Sequence, residues 1–469
     1  MKEQISRKEL FESVPVNKAL MTMAIPTIIS QLINLVYNMV DTIFIGQTGD
    51  AYKTAGVTVA YTIFMMTVAL ANLFGIGGGS LMARLAGKGE LKRARGVCAF
   101  SFYGAIAIAI LYSAVIAIFI NPILNILGAS PDTIEYARQY VFYVVILGDI
   151  PVILSGASAH LLRNSGYANQ ASIGLSIGGV LNMILDPIFM FVILPKGMEV
   201  TGAAVATLLA NVVSCIYLII VILRLSKKSV ISINPADIPI MKKRDMKSVF
   251  AVGVPSSLLN ALFDLANVFL IALMSYHGDM QLAAIGIVMK AERLPNAINI
   301  GICQGMLPIV AYNYASGDHN RMDAVVKSAR KYGLIICSFT LIMFELLSPW
   351  ICRIFLNTDV GSSDAVSAAT MTIVYAGLFL RIRCLASPFQ FLNYSTSFTM
   401  QAVGYGKGTL IHSIVRQIVF YIPFMLILNG LFGVYGLTSA EVFGEAAGGA
   451  FALALFHQWK KKNMKIEEQ

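Results

Sequence analysis

The sequence predicts an all-α integral membrane protein, with twelve transmembrane helices in two pseudo-symmetric six-helix lobes. Three observations predict it. The 469 residues are 57% hydrophobic and only 13% charged, with mean hydropathy +0.73, whereas a soluble domain carries about 25% charged residues. Apolar runs of about 20 residues or more recur from end to end, each long enough for a hydrocarbon core of roughly 30 Å. The second half of the chain also repeats the first.

Spans are expected at roughly 19–45, 55–83, 96–120, 136–158, 171–194, 202–224, 248–274, 283–313, 328–351, 366–392, 409–430 and 437–458, with edges uncertain by several residues. The opening "MKEQISRKELFESVPVNK" is polar. The apolar run behind it is too long for the core of a cleaved signal, so it reads as a retained first helix. Pro26, in the middle of that helix, lacks a backbone donor and is expected to bend it at a hinge or gate. Asp41, in "LVYNMVDTIFIG", has no other charge between Lys18 and Asp50. A charge near the bilayer centre costs about 2.5–3.5 kcal/mol on insertion scales, which makes an intramembrane acid a functional candidate. The competing reading places Asp41 within a turn or two of the outer surface.

In the second span, Gly75 and Gly79 of "GIGGGS" stand one turn apart, a spacing for close helix packing. The stretch is no phosphate cradle: it lacks the final glycine of that motif, follows no strand and precedes no Lys-Ser/Thr. In the fifth span, Asn182 lies one turn before Asp186 of "LNMILDPIF" and shares its helix face. Carboxylate and amide oxygens together make half a cation cage, and a buried carboxylate without a cation takes a proton, so one pocket serves Na⁺ or H⁺. The alternative is that Asp186, near the end of its span, only caps or solvates it.

The longest polar stretch, "RLSKKSVISINPADIPIMKKRDMK", carries Pro235 and Pro239. It sets a linker at 226–247 between an N-terminal lobe, 1–225, and a C-terminal lobe with a basic tail, 248–469. Sliding the chain along itself sets Pro26 on Pro255, Asn38 on Asn267 and Gly49-Asp50 on Gly278-Asp279; with one residue inserted, Gly56 falls on Gly286 and Gly75 on Gly305. Six spans is an even number, so the halves are expected to share one orientation about an axis along the membrane normal, with a cavity between them. Pro255 is then the second hinge or gate.

The second half has its own intramembrane charges. Asp264 is the comparable isolated acid, and Glu292 sits between Lys290 and Arg293. Both are candidates for a second-lobe coupling or substrate site, with a buried ion-pair network as the alternative for Glu292. Arg381 and Arg383, with Glu345, Glu441 and Glu445, are candidate members of such a network.

Basic residues concentrate in "RLAGKGELKRAR", "KKRDMK", "RMDAVVKSARK" and "KKKNMK". Because cytoplasmic loops hold the Lys/Arg excess, both termini are expected in the cytoplasm. The net charge of +10 then calls for no nucleic acid, although basic segments can meet anionic membrane lipids. The six cysteines have no CxxC spacing and read as packing residues. No metal spacing involves the five histidines, no nucleophile and base can be paired, and no Walker lysine is present. An enzyme, a cofactor and an ATP engine are therefore not expected. A cavity lined by the many Met, Tyr and Phe side chains suits apolar cations.

Four motifs in order, "AIPTIISQLINLVYNMVDTIFIGQTG", "GIGGGSLMARLAGKG", "LNMILDPIFMF" followed by "GAAVAT", and "GICQGMLPIVAYNYASG", make the chain resemble the multidrug and toxic compound extrusion (MATE) family, on its MepA-like and DinF-like bacterial side. The resemblance covers nearly the whole chain. It implies a multidrug efflux antiporter of the cytoplasmic membrane that exports amphiphilic, often cationic drugs in exchange for Na⁺ or H⁺ and confers antibiotic resistance; two pseudo-symmetric lobes in one chain remove the need for a dimer, so a monomer is expected. It also implies a coupling-cation site at Asp41, Asn182, Asp186, Thr207 and Tyr140. Arg381 and Arg383 stand where relatives are usually apolar, and Glu441 where many have proline. The alternative is a flippase or exporter of a lipid-linked or amphiphilic metabolite, which needs a basic central cavity; the intramembrane acids oppose it and the two arginines keep it open. A major-facilitator protein is disfavoured because its acid-arginine loop after the second span is missing.

Overall fold

The computed structural model describes residues 7–227, 229–354 and 363–464. Among them the chain is helical throughout its spans, as it must be where lipid offers no partner to a backbone N–H or C=O. The helices are α1 (Val16–Gly46), α2 (Ala51–Gly87), α3 (Leu91–Ile126), α4 (Ile134–Leu147 with Asp149–Asn164), α5 (Ala168–Ile193), α6 (Glu199–Leu225), α7 (Lys243–Met274), α8 (Asp279–Ser316), α9 (His319–Arg353) and α10 (Ser363–Cys384 with Ser387–Val403). The final helix, Gly406–Asn463, has 58 residues, well over twice the roughly 20 that a bilayer requires. It folds back at Gly433, whose φ of 60° and ψ of −139° belong to glycine alone. Past that point Gly436 lies against Leu428 and Gly444 against Tyr421, so residues 406–432 and 434–463 are antiparallel spans, α11 and α12.

Two spans are broken. α4 bends by 54° at Gly148 and α10 by 48° at 385–386. Both run further than hydropathy suggests, α4 to Asn164 and α10 to Val403. The reason is composition: "HLLRNSG" and "NYSTSFTMQAVG" look like loop, yet Arg163, Asn164, Asn393, Ser395, Thr396, Ser397, Thr399 and Gln401 are all buried. α3 shows the ordinary pattern. Ala94, Val97, Cys98, Ala105 and Ala109 form an inward stripe, and Ile110, Leu111, Val115 and Ile118 face out. All six cysteines are unpaired and buried.

The halves meet in a reciprocal way. Gly301 and Gly305 of α8 bring its backbone against Ile28 and Ala24 of α1, and Gly77 of α2 meets Gly253 and Val249 of α7. These are the first and eighth helices and the second and seventh, which the twofold repeat exchanges. A Cβ on Gly253 would stand 2.0 Å from the Leu73 carbonyl oxygen, so this contact admits no side chain. Helix Arg7–Glu12 and the start of α1 join the same packing against α8 and α9. Arg93 of α3 pairs with Asp245 at the start of α7 (2.6 Å), and Arg95 pairs with Asp237 (3.3 Å), which ties residues 235–245 to the first half. Pro26 and Pro255 lie inside helices that run on through them.

Candidate functional site

All these interlobe contacts lie toward the end of the molecule that carries the termini. Beyond them, away from the termini, is a cavity of about 490 Å³ between the lobes. The same four helices line it, with Asn34 and Asn38 from α1, Phe64 and Asn72 from α2, Asn260 and Phe263 from α7, and Arg293 and Asn296 from α8. α5 and α6 add Asn182, Thr207 and Asn211.

At the first-lobe side of this cavity stands a polar cluster confined to that lobe, with Asn182 and Thr207 on the lining. Asn182 Nδ2 donates to Asp186 Oδ1 (3.0 Å) and to Thr207 Oγ1 (3.2 Å). Asp41 of α1 interacts electrostatically with Asp186, and both carboxylates with Tyr37 and Tyr140. Asp186 is fully buried, Asn182 and Tyr140 nearly so. The amide spends its donor on the acid and the hydroxyl, and so turns its own oxygen away from them. Three acceptor oxygens, Asp41 Oδ1, Asn182 Oδ1 and Asp186 Oδ2, are left buried with no hydrogen-bond partner. Oxygen acceptors without donors suit a hard cation or a proton shared between the acids. The five first-lobe residues named from the sequence thus come together. Among the described residues no group of three His, Cys, Asp or Glu side chains is placed to hold a metal ion.

Local helix geometry positions these groups. Tyr140 stands just before a π-helical turn, Phe142–Leu147, and Asp186 just before another, Phe189–Ile193. Such wide turns recur at functional sites because they rotate the rest of the helix about its axis. α11, the equivalent of α5, carries a third, Val415–Tyr421.

The second-lobe candidates do not meet. Asp264 is exposed and interacts with Arg293 across from Tyr61. Glu292 instead receives both Arg383 Nε and Nη2, each at 2.9 Å, and Arg383 also pairs with Glu441. Arg381 donates to Ser348 Oγ (2.9 Å) and to the Glu345 carbonyl oxygen (3.1 Å). Glu445 is held by Arg416 Nη2 (2.6 Å) and by Asn393 Nδ2 (2.8 Å). From there the network runs on: His412 Nε2 donates to Asn393 Oδ1 and Ser397 Oγ to His412 Nδ1, both at 2.8 Å.

Several of these residues escape a reading of the sequence. Arg416 lies within α11 and Arg163 within the extended α4, both buried and both lining the central cavity. Asp149, in α4, is wholly buried with neither carboxylate oxygen hydrogen-bonded. The criterion that singles out Asp41, an acid in an apolar run, applies equally to Asp149 in "VVILGDIPVILSG".

The family model MatE matches residues 26–188 and again 255–427, beginning at the two prolines. Multidrug export protein MepA of Staphylococcus saprophyticus is 28% identical over 435 residues, spanning 93% of this chain and 92% of that protein. MepA of Staphylococcus aureus strain MRSA252 is 29% identical over 439 residues with the same coverage. Among solved structures, a MATE crystal structure in complex with MaL6 superposes with a TM-score of 0.89 at 22% identity, covering 98% of this chain and all of that one.

Proposed function

The chain belongs to the MatE family of multi-pass membrane transporters, and on that premise we propose that it is a multidrug efflux antiporter. It exports amphiphilic, often cationic compounds in exchange for Na⁺ or H⁺. It acts as a monomer in a bacterial-type cytoplasmic membrane, with both termini in the cytoplasm and two lobes, 1–225 and 248–469, joined by the linker 226–247. The names of the relatives, multidrug export proteins, support the substrate class.

The observation that carries the coupling is the set of unpartnered buried oxygens on Asp41, Asn182 and Asp186. A cation or proton bound there is bound mainly by α1 and α5, and those helices also present Asn34, Asn38 and Asn182 to the central cavity. Occupancy of the ion site and occupancy of the drug site therefore act on the same two helices. Exchange occurs only if each ligand prefers a different arrangement of them, since a ligand of equal affinity shifts nothing. Pro26 weakens α1 where its lower half packs on α8, and Pro255 does the same for α7 against α2; both serve as gates. Thr207 and Tyr140 complete the ion site. Asp264 stands as the acid that balances Arg293 on the cavity wall, and Glu292 as a structural member of the second lobe.

The test is ethidium efflux from energised vesicles, under a Na⁺ gradient and separately under a pH gradient, with wild type and Asp41→Asn. Efflux driven by one gradient and lost in the variant supports the antiporter and names its ion. Failure of both gradients with several organic cations sinks it. A second reading, a flippase or exporter of a lipid-linked or amphiphilic metabolite, is favoured by one observation, the three guanidinium groups of Arg163, Arg293 and Arg416 on the cavity wall.

A further inference from the structure

The lining of the central cavity includes Arg163, Arg293 and Arg416, ten Asn and Gln side chains, and no Asp or Glu. Two of the arginines are balanced. Arg416 is bonded to Glu445 at 2.6 Å, and Arg293 interacts with Asp264. Arg163 is different. It is 2% exposed, and among the described residues it pairs with no carboxylate. Its one hydrogen-bonded neighbour is His160, whose Nδ1 is 3.3 Å from Nη1, and its Nε has no partner. Guanidinium offers donors only, so His160 Nδ1 must accept, and the ring proton is on Nε2, a second donor. His160 also lines the cavity. At this end of the cavity, then, a buried positive charge and a neutral imidazole both present N–H groups.

Leaving a charge buried without a counter-charge is costly. A chain that keeps Arg163 on a cavity wall has a use for the missing anion. Resting on the export reading above, we propose that this end of the cavity is an anion subsite in which Arg163, with His160, takes the carboxylate of a zwitterionic amphiphile, while Tyr394 and Phe398 hold its apolar body. The preferred substrates are therefore amphiphiles that carry a carboxylate beside their cation, rather than simple lipophilic cations.

A rhodamine dye with a free carboxylate and the methyl ester of the same dye differ by that one charge. Binding of each to the full chain in phosphatidylcholine nanodiscs is measured by fluorescence polarisation for wild type, Arg163→Gln and Arg163→Lys. Arg163→Gln is expected to weaken the free acid at least ~10-fold, a change of about 1.4 kcal/mol, and the ester less than ~2-fold; Arg163→Lys retains part of the preference. Retained ester binding shows that the variant is folded. Equal loss for both dyes, or loss for neither, overturns the subsite. If wild type binds and exports the ester but does not bind the acid, the subsite falls and the export reading stands; if it neither binds nor exports either dye, both fall. Repeating the measurement with phosphatidylglycerol in the nanodiscs separates the source of the anion. Competition by that lipid that disappears in Arg163→Gln means the recognised group is a headgroup phosphate, which overturns the carboxylate proposal.

Discussion

Asp41→Asn keeps the size of the side chain and removes the charge that a coupling cation or proton would meet. Gradient-driven efflux is expected to fall to the level of vesicles lacking the protein, with unchanged yield on size exclusion. Asn182→Ala deletes the amide that joins Asp186 to Thr207 and should raise the ion concentration needed for half-maximal efflux about tenfold, measured by titrating the driving ion. Arg383 makes the opposite kind of contribution. Replacing it with Met leaves Glu292 and Glu441 facing each other in a buried site, and losing one side of such a pair costs about 3–5 kcal/mol. Thermal denaturation should show a lower midpoint, largely restored when Glu292→Gln and Glu441→Gln are added. At this scale the sequence reveals acids better than their partners. Asp41 and the Asn182/Asp186 pair are legible because a lone acid in an apolar run is costly and four-residue spacing is local. The partner of Glu292, Arg383, is 91 residues away; it is legible as one of the charges in late apolar spans named for the network, but no local pattern fixes which of them pair. Arg163 is missed because polar neighbours disguise the end of α4 that buries it, whereas Arg416 lies inside the expected span 409–430 and is simply passed over.

Helices give their own tests. Gly433 reverses the chain between α11 and α12 in a conformation that a Cβ disfavours, so Gly433→Ala should cost about 1–3 kcal/mol and reduce the fraction surviving a heat challenge. Gly253→Val places methyl groups where the Leu73 carbonyl oxygen stands. It should push α2 and α7 apart at the end carrying the termini, lengthening the spin-label distance between them and lowering efflux at least tenfold. Hydropathy locates ten of the spans well, since each is one apolar run between polar ends. It shortens α4 and α10, which bend at Gly148 and 385–386 and whose inner ends carry polar residues that line the cavity, His160 and Arg163 in α4 and Gln401 in α10.

At the scale of the molecule, the lobes are packed together on the side of the termini and the cavity lies beyond. Cysteines placed at Asn34 or Asn260 should react with a membrane-impermeant maleimide added on the face opposite the termini, and stay unreactive from the other; the six buried native cysteines keep the background low. The twofold repeat was legible because its glycines and prolines recur at a fixed offset, but the contacts it produces were not, since they join helices far apart in the chain. Those contacts, α1 on α8 and α2 on α7, have the pattern of an isologous interface, in which each partner offers the other the same patch. Two identical subunits meeting in that way would have to carry every residue twice. A single chain escapes the obligation, and here the two copies have diverged into unlike trades: one holds the bare acids, the other pairs Glu292, Glu441 and Glu445 with Arg383 and Arg416. If the bare acids hold the driving ion as proposed, one ion site instead of a symmetric pair serves the cavity, and the exchange ratio is decided by half of the molecule while the other half acts as its counterweight.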